Sequence, residues 1–336
     1  MSEQLTPDRI LETGLAFMAS KVLLSALELN VFSELAKTPA DLGTLTRKFQ
    51  LHPRSAADFF DTLVAMKFLN RDNGVYTNTP EAAKFLDKTS PDYIGGMLEM
   101  CNARLYTFWG SLTEGLRTGK PQNEIKAGEG LFEKLYENPE RLENFLKAMT
   151  GLSKQSARAI AAKFEWKAYR SFIDVGTAQG AVPVELALAH RHLVGAGMDL
   201  PVVRPIFEKY IREHNLADRV SFVARDFFKE TIPQADVIIM GHILHDWGMD
   251  DKRMLLKKTY EALPKGGAAI IYDCMIDDER KKNIPGLLMS LNMLIETPEG
   301  FDYTTAQGQT WLQEAGFKQT RAEHLSAGDW MVVGIK

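Results

Sequence analysis

Residues 172–180 read F-I-D-V-G-T-A-Q-G, and this short stretch decides the fold. Its first four residues suit a strand that is buried on both faces, and two glycines, Gly176 and Gly180, allow a tight turn after it. The segment that follows, V-P-V-E-L-A-L-A-H, has the apolar content of a buried helix. A strand, a glycine turn and a helix in this order predict the start of a parallel α/β sheet, in which ligands bind beyond the carboxyl ends of the strands.

The chain after Arg170 alternates between strand-like and helix-like segments, which indicates right-handed βαβ units. Helix-like segments such as Arg204–His214 and Asp250–Leu263 separate the strands, and the last two strands are joined by S-A-G-D and read as a hairpin. We therefore predict an α/β fold with a doubly wound, mostly parallel sheet and a C-terminal antiparallel hairpin. The predicted strands are Ser171–Val175, Leu193–Asp199, Val220–Ala224, Ala235–Gly241, Ala268–Cys274, Phe317–Leu325 and Trp330–Ile335.

The chain before residue 165 is predicted to be mainly helical. An apolar-periodic stretch runs from Pro7 through Phe32, and two helix-like segments, Ala40–Phe49 and Arg54–Phe68, come after it. A tight hairpin is then expected around Asn73-Gly74, and this order is typical of a winged helix-turn-helix. We predict a helical winged-helix domain over residues 1–100, a helical linker that contributes to a substrate pocket over 101–165, and the α/β domain over 166–336.

The composition indicates a folded protein with a large core. The chain has 336 residues, 45% of them hydrophobic, and a formal net charge of −4, which argues against general attraction to nucleic acid or to a membrane surface. Cys101 and Cys274 form no metal or redox motif, and we expect no metal site. The N-terminus does not resemble a signal peptide, and no apolar run of the ~18 residues of a membrane span is evident. A cytoplasmic enzyme is therefore expected.

The turn after the first strand lacks both common phosphate-binding patterns, because its spacing is G-x-x-x-G and no G-K-S or G-K-T follows. S-adenosylmethionine, which has no phosphate, suits such a turn, since glycines let the backbone approach its ribose and methionine groups. Asp199 ends the second strand, where a carboxylate accepts hydrogen bonds from ribose hydroxyls. After the third strand, Asp226 is expected to accept a hydrogen bond from the amino group of adenine, and Phe227 is expected to cover the adenine ring.

Six motifs along the chain resemble those of the class I S-adenosylmethionine-dependent O-methyltransferases, in particular the caffeate, hydroxyindole and bacterial small-molecule group. They read D-V-G-T-A-Q-G, G-M-D-L-P, A-R-D-F-F, G-H-I-L-H-D-W, E-A-L-P-K-G-G and L-Q-E-A-G-F. The resemblance covers nearly the whole chain. It implies a Rossmann-like methyltransferase domain, a small-molecule acceptor and an N-terminal winged-helix domain that forms homodimers. It implies contacts with S-adenosyl-L-methionine at Asp174, Gly176, Gly180, Asp199, Leu200, Asp226, Phe227, Gly241 and His242.

The resemblance also implies that His245, in H-D-W, is the general base. Methyl transfer to a hydroxyl requires the loss of a proton, and a phenol has a pKa near ~10. Histidine has an ordinary pKa of about 6.5 and suits this task at neutral pH. The residues alone leave a second interpretation open, in which His245 is a hydrogen-bonded structural histidine beside Trp247.

Three departures from the family pattern concern the cofactor turn and the surroundings of His245. Thr177 and Ala178 stand where the family has two glycines. Asp302, in F-D-Y-T, takes the place of a longer acid that orients the catalytic histidine in better-known members, so we expect a catalytic role for it. The last strand, read as M-V-V-G-I, carries no acid. We therefore expect fewer or shorter acidic side chains to orient His245 than in those members.

The acceptor pocket is expected to be apolar and to hold a flat aromatic or polycyclic molecule. By resemblance, the segment over residues 286–296 lines it, and its methionines pack well against varied ligands. Ordinary core packing is the alternative for each apolar candidate. The candidates for acceptor binding are Phe108, Trp109, Phe145, Met149, Met289, Asn292 and Met293.

Two other classes of function compete with this interpretation. A winged-helix regulator would bind DNA, but residues 1–100 carry 10 basic and 13 acidic side chains, and DNA binding needs phosphate neutralisation. An enzyme of the same fold that binds S-adenosylmethionine for decarboxylation, hydroxylation or a pericyclic reaction is the second alternative. N-, S- and C-methylation also remain open at this point.

The N-terminal helix predicts a homodimer. Its sequence, L-T-P-D-R-I-L-E-T-G-L-A-F-M-A-S-K-V-L-L-S-A-L, is more apolar than the surface helix of a monomer needs to be. Burial against a second copy would cover that surface.

Overall fold

The structure is a computed structural model that describes residues 5–124 and 139–336. The chain divides into two compact units, Met1–Tyr106 and Thr107–Lys336. Most of the predicted linker over residues 101–165 therefore groups with the α/β part of the chain. Its residues 125–138 lie outside the described ranges, and the predicted division into three domains stays a prediction.

The first unit is mainly helical, as predicted. Its longest helix ends at Glu28, because Asn30 adopts a left-handed backbone with φ +61° and a second helix begins after it. The apolar-periodic stretch predicted from Pro7 through Phe32 is therefore helical, but a break at Asn30 divides it into two helices. The helices are α1 (Asp8–Glu28), α2 (Val31–Lys37), α3 (Leu42–Lys48), α4 (Pro53–Ala65), α5 (Pro80–Phe85) and α6 (Gly95–Met100), which continues as a π-helical turn (Cys101–Leu105). A short helix (Tyr106–Phe108) then contains the last residue of this unit and the first two of the next.

A small antiparallel sheet completes the first unit. Strands β2 (Leu69–Asp72) and β3 (Val75–Asn78) form the hairpin predicted around Asn73-Gly74, and both turn residues have positive φ. A two-residue strand that the sequence did not predict, β1 (Ala40–Asp41), pairs with β3. The turn follows from Asn-Gly chemistry, whereas so short a strand has no periodic pattern of its own.

Helix α1 exposes much of its apolar surface in the single chain. Ile10 is 73% exposed and Phe17 is 53% exposed, whereas Leu24 and Leu27 near its end are buried. By length and composition alone, α1 would be able to cross a membrane. The prediction that no stretch reaches that length is therefore wrong, although its burial near Leu27 shows that this end packs within the unit.

The second unit is built on a seven-stranded mixed sheet with the order β6-β5-β4-β7-β8-β10-β9. The first five strands in that order run parallel, and β10 lies antiparallel between β8 and β9. The doubly wound sheet and the C-terminal hairpin are thus confirmed. The strands are β4 (Ser171–Val175), β5 (Val194–Asp199), β6 (Val220–Ala224), β7 (Val237–Gly241), β8 (Ala268–Asp273), β9 (Gln319–Ser326) and β10 (Asp329–Ile335).

Helices cover both faces of this sheet. The helices of the second unit are α7 (Leu112–Thr118), α8 (Pro139–Lys163), α9 (Ala181–Ala189), α10 (Arg204–Glu213), α11 (Met249–Ala262), α12 (Ile284–Glu296) and α13 (Thr305–Ala315). Single 3₁₀ turns follow the carboxyl ends of β5 and β7, at Pro201–Val203 and Leu244–Asp246.

Alternate residues of the central strand β4 enter opposite cores. Ile173 and Val175 pack in one cluster with residues of α11 and α13, whereas Phe172 packs in a second cluster with residues of α8 and α9. Successive side chains of a strand point to opposite faces, so a strand covered on both sides is apolar throughout. This is why the F-I-D-V stretch reads as a continuous buried strand.

The order of the strands places a crevice at the carboxyl end of β4. Strand β5 lies on one side of β4 and β7 lies on the other, so the chain reverses its winding direction at this point. In open α/β sheets, ligands bind at such a switch point. The turn Gly176–Gly180 and the turn Leu244–Asp246 both emerge there.

Glycine at position 195 is required by an aromatic ring on the neighbouring strand. Gly195 pairs with Phe172, and a Cβ atom at position 195 would overlap the ring of Phe172. We expect Gly195→Ala to destabilise the protein by about 1–3 kcal/mol, because overpacking forces the ring from its position. Thermal unfolding measures the loss. Gly110→Ala, whose Cβ would meet nothing within 4 Å, is the control, and equal melting temperatures for both variants would contradict the assignment.

Candidate active site

The glycine turn after β4 depends on three left-handed residues. Gly176, Ala178 and Gly180 have φ values of +69°, +51° and +99°. The backbone N–H groups of Gly176 and Thr177 donate to the carbonyl of Met198 at 2.8 and 3.2 Å, which fastens the turn to β5. Two of the three positions are glycine, as such a backbone favours. Ala178 adopts the same region at a cost of roughly 1–2 kcal/mol.

Thr177 is accommodated inside the protein. Its hydroxyl donates to Asp174 Oδ2 at 2.7 Å, and its side chain fills the space that a Cβ atom on Gly197 would need. The threonine is buried, as is Asp174, and burial raises the pKa of the Asp174 carboxyl to about 7. Thr177 stands where the family has a glycine. Its larger side chain fits because position 197 on the neighbouring strand β5 is a glycine.

Asp199 ends β5 and faces the turn. Its Oδ2 accepts from the backbone N–H of Ala178 at 2.9 Å, and its Oδ1 accepts from Leu200 N at 2.8 Å. Burial raises the pKa of this carboxyl to about 6. Each oxygen keeps a further lone pair, so the carboxylate is held in place with acceptor sites left for two hydroxyl groups of a ribose.

Asp226 has local partners that the sequence did not suggest. Its Oδ1 accepts from Phe228 N at 2.9 Å, and its Oδ2 lies 3.1 Å from the Lys229 ammonium. Burial opposes ionisation of Asp226, but Lys229 and the Phe228 N–H outweigh it and hold its pKa below the ordinary value. Phe227 lies in an aromatic group with Trp247, with ring centroids 6.2 Å apart. The structure therefore brings the ends of β6 and β7 together.

Gln179 was missed by sequence reasoning. It is buried in the glycine turn, and its Oε1 accepts from the hydroxyl of Thr150 on α8 at 2.9 Å. This bond links the turn to the helix that carries Met149. A glutamine inside a glycine turn has no distinctive spacing, so only its burial reveals it.

His245 lies in the 3₁₀ turn after β7 and is surrounded by carboxylates. Its Nδ1 lies 3.1 Å from Asp302 Oδ1 and 3.9 Å from Asp273 Oδ1, and its Nε2 lies 3.6 Å from Asp246 Oδ1. Burial would lower the pKa of this imidazole. The charges of Asp302, Asp273 and Asp246 outweigh burial and raise the pKa to about 10. The predicted pair of His245 and Asp302 is therefore brought into contact, and Asp302 reaches the ring despite its short side chain.

Asp273 supports the same histidine and was also missed. It is the last residue of β8, is fully buried, and accepts from the Tyr303 hydroxyl through Oδ2 at 2.5 Å. Burial raises the pKa of Asp273 to about 6. The signal was present in the sequence, because an acid at the carboxyl end of a parallel strand lies at the ligand-binding edge of the sheet.

The last strand does contain an acid, which corrects the expectation for M-V-V-G-I. Strand β10 begins at Asp329, two residues before that segment, and Asp329 Oδ2 lies 3.3 Å from His242 Nε2. Ser156 on α8 donates to the same oxygen at 2.6 Å. Asp329 thus supports His242, whose pKa it raises against the effect of burial, and His242 has a left-handed backbone with φ +52°.

Three of these side chains, His242, His245 and Asp273, have possible ligand atoms within 4.8 Å of one another. Both histidines already face carboxylates, at Asp329 and at Asp302.

The structure gives four of the seven acceptor candidates defined surroundings. Trp109 Nε1 donates to Asn292 Oδ1 on α12 at 2.9 Å, and Met293 is buried on the same helix. Phe145 on α8 packs against the apolar cluster that borders Ala178, next to the cofactor turn. The remaining candidates, Phe108, Met149 and Met289, are partly exposed.

The turn and its acids fit S-adenosylmethionine. Asp174 and Asp199 are buried carboxylates beside this turn, and burial raises the pKa of both. Gly176 and Gly180 leave the backbone open to close approach. Asp199 would hold the ribose, and Phe227 would contact adenine.

Comparisons with known proteins agree with this geometry. Residues 109–318 match the model of the O-methyltransferase domain, and residues 11–88 match that of the O-methyltransferase dimerisation domain. The chain is 39% identical to the tetracenomycin polyketide synthesis 8-O-methyl transferase TcmO of Streptomyces glaucescens, over 98% of this chain and 97% of that one. It is 34% identical to the N,N-dimethyltransferase OxyT of Streptomyces rimosus, over 97% and 96%.

A solved structure with bound cofactor is also similar. Human N-acetylserotonin methyltransferase in complex with SAM superposes with a TM-score of 0.91 at 25% identity, over 100% of this chain and 99% of that one. The order of the elements and the sheet is thus that of an enzyme known with its cofactor.

Asp199→Ala is expected to weaken the binding of S-adenosylhomocysteine by about 10–150-fold. The variant removes a carboxylate that would accept hydrogen bonds from the ribose, and a hydrogen bond to a charged group contributes about 1.5–3 kcal/mol. Isothermal titration calorimetry measures the change. Asp250→Ala, at an exposed acid in the first turn of α11, is the control. Equal affinities for both variants would remove Asp199 from the cofactor site.

Proposed function

We propose that this chain, which belongs to the O-methyltransferase family, transfers a methyl group to the hydroxyl of a polycyclic aromatic acceptor with His245 as the general base. The cofactor is S-adenosyl-L-methionine, which supplies the methyl group as an electrophilic carbon. The observation that supports the base most strongly is the 3.1 Å contact between His245 Nδ1 and Asp302 Oδ1. It leaves Nε2 as the nitrogen that accepts the proton of the acceptor.

The surroundings of His245 suit a phenolic proton. A phenol has a pKa near ~10, and the nearby carboxylates raise the pKa of His245 to about 10. The transfer of a proton from such a hydroxyl to the imidazole is then close to balanced, which general base catalysis favours. Asp302 and Asp273 stabilise the imidazolium that results, and Tyr303 holds Asp273 in place.

The contact between Trp109 and Asn292 supports a particular kind of acceptor. The indole N–H is only a donor, so it fixes Oδ1 of Asn292 as its partner. The Nδ2 amide hydrogens of Asn292 then bind an oxygen of the acceptor. We propose a flat molecule with a carbonyl or a second oxygen beside the reacting hydroxyl, which is consistent with the polyketide named for one relative.

His245→Ala is expected to lower the rate of methyl transfer to alizarin by about 10²–10⁴-fold, the usual contribution of a general base. Because the pKa of His245 is raised, its neutral form is scarce at pH 7, and the wild-type rate should rise by about tenfold per pH unit below that pKa. This rise should be absent from the variant. Formation of S-adenosylhomocysteine across a pH series measures both effects.

The control for this experiment is His214→Ala. His214 contacts the carbonyl of Tyr210 at the end of α10, so its loss should leave the rate and its pH dependence unchanged. β-Naphthol, which lacks the neighbouring oxygen, should react more slowly than alizarin. Methylation of an aminoanthraquinone in place of both phenols would identify an N-methyltransferase. Cofactor binding without methyl transfer to any of them would favour a non-methylating enzyme of this fold.

We also propose that the first unit is a winged-helix domain through which two copies form a homodimer in the cytoplasm. Residues 11–88 match a dimerisation domain, and α1 carries an exposed apolar surface that a second copy would cover. An open cavity of about 460 Å³ lies between α1 and α4, lined in part by Val22, Leu29 and Phe59. An apolar surface covered by a partner copy accounts for the hydropathy of α1 without a membrane.

Leu15→Glu combined with Met18→Glu is expected to convert the dimer to a monomer. Both side chains are about half exposed on α1 in the single chain, and the substitution would bury two carboxylates against the partner. Sedimentation velocity at micromolar concentration measures the change. Lys167→Glu, at an exposed position of the second unit, should leave the dimer intact. A wild-type protein that sediments only as a monomer would contradict the proposal.

A further inference from the structure

Lys252 is a buried charged side chain that the proposed proton transfer does not use. It lies in the first turns of α11 and has no exposed surface. Its ammonium donates to the carbonyl of Trp247 at 2.5 Å and to the carbonyl of Phe301 at 3.2 Å, and it lies 3.7 Å from the centre of the Phe301 ring. Both hydrogen bonds therefore go to backbone groups.

The two carbonyls belong to the two segments that carry the proposed base and its acid. Trp247 lies two residues after His245, and Phe301 lies immediately before Asp302. Lys252 thus joins these segments on one side, and the contact between His245 Nδ1 and Asp302 Oδ1 joins them on the other. Both links join the same two backbone segments. A shift of these segments at Lys252 would therefore also change the distance between His245 and Asp302.

The placement of an ammonium here is costly, which argues that it has a specific role. Burial of a charge without full pairing is unfavourable, and the N-terminal turns of a helix disfavour a cation. Burial lowers the pKa of Lys252 to about 8, against the opposing effect of Asp273, Asp302 and Asp246. An apolar side chain at position 252 would be buried at a lower cost in free energy. It would, however, leave the carbonyls of Trp247 and Phe301 without the hydrogen bonds that Lys252 donates.

We propose that Lys252 is a positioning residue for methyl transfer, which fixes the separation of His245 and Asp302 by binding the backbone of both segments. The inference rests on the proposed role of His245. The hydroxyl of Ser290 accepts from the N–H of Asp302 at 3.2 Å, but this bond does not involve the segment that carries His245.

Lys252→Met keeps the length of the side chain but removes its donors, and it tests the proposal in two ways. The first readout is the downfield Nδ1–H resonance of His245, assigned by its absence in His245→Ala, which should shift or disappear in Lys252→Met. The second is kinetic. With alizarin as the acceptor, kcat should fall by about 10–100-fold, the effect of misplacing a catalytic group, whereas KM for S-adenosylmethionine should stay within about twofold.

Lys336→Met is the matched control. The Lys336 ammonium also donates to two carbonyls, those of Tyr260 and Leu263, each at 2.6 Å, and lies 4.5 Å from the centre of the Tyr260 ring. It is held at the far end of α11, away from His245. Both variants should lose thermal stability, but only Lys252→Met should change the His245 resonance and kcat.

A folded Lys252→Met with a wild-type resonance and a wild-type kcat would overturn the proposal. If that variant does not fold, Lys252→Gln takes its place. Its amide is shorter and uncharged and therefore binds the two carbonyls more weakly, so the same two changes are expected at smaller size. The resonance needs neither cofactor nor acceptor. A protein that methylates no phenol but loses the resonance in Lys252→Met would therefore disprove the proposed function and leave the positioning role of Lys252 intact.

Discussion

The arrangement of side chains at the carboxyl edge of the large sheet depends on one constraint, which is the burial of the His245 imidazole among carboxylates. His245 is held by Asp302 and lies near Asp273, and all three are buried, whereas Asp246 on the other side of the ring is partly exposed. A buried charge is tolerated only where its partners are fixed. Strand β8 ends at Asp273, and the F-D-Y-T segment supplies both Asp302 and the Tyr303 hydroxyl that binds Asp273. The parallel strands bring these distant segments to one place.

Helix α11 holds the loops on both sides of this site by the same device. Lys252 binds carbonyls of the segments around His245 and Asp302, and Lys258, less than two turns later, donates to the carbonyls of Phe227, Phe228 and Glu230 after β6. Loops carry most of the functional side chains in such folds, and a rigid element must position them. An ammonium with three donors on a long stem is suited to collect carbonyls from irregular backbone.

Sequence patterns predicted the fold, and the resemblance singled out His245 and its neighbour Asp302. The other buried charged residues around His245 were not predicted. The seven strands of the second unit were predicted within one or two residues, because apolar runs are local signals. The contact of His245 with Asp302 followed from the resemblance, whereas Asp273 lay inside the predicted strand Ala268–Cys274 and was not singled out. Lys252 reads as a solvated residue in a charged run, M-D-D-K-R, and only the packed structure shows that it is buried. Side chains that depend on tertiary contacts have no local pattern, so the sequence alone could not assign them.

Thr177 and Gly197 are coupled through the space they share. The threonine occupies the volume of the missing Cβ at position 197, and the Phe207 ring packs over both Gly180 and Gly197. In the course of evolution, a larger residue at position 197 would therefore require a smaller one at position 177. The two positions should co-vary among relatives, with glycine either in the turn at position 177 or on strand β5 at position 197. An engineer who restored glycine at position 177 would open a cavity beside Asp174, which a compensating alanine at position 197 would fill only if Phe207 also moved.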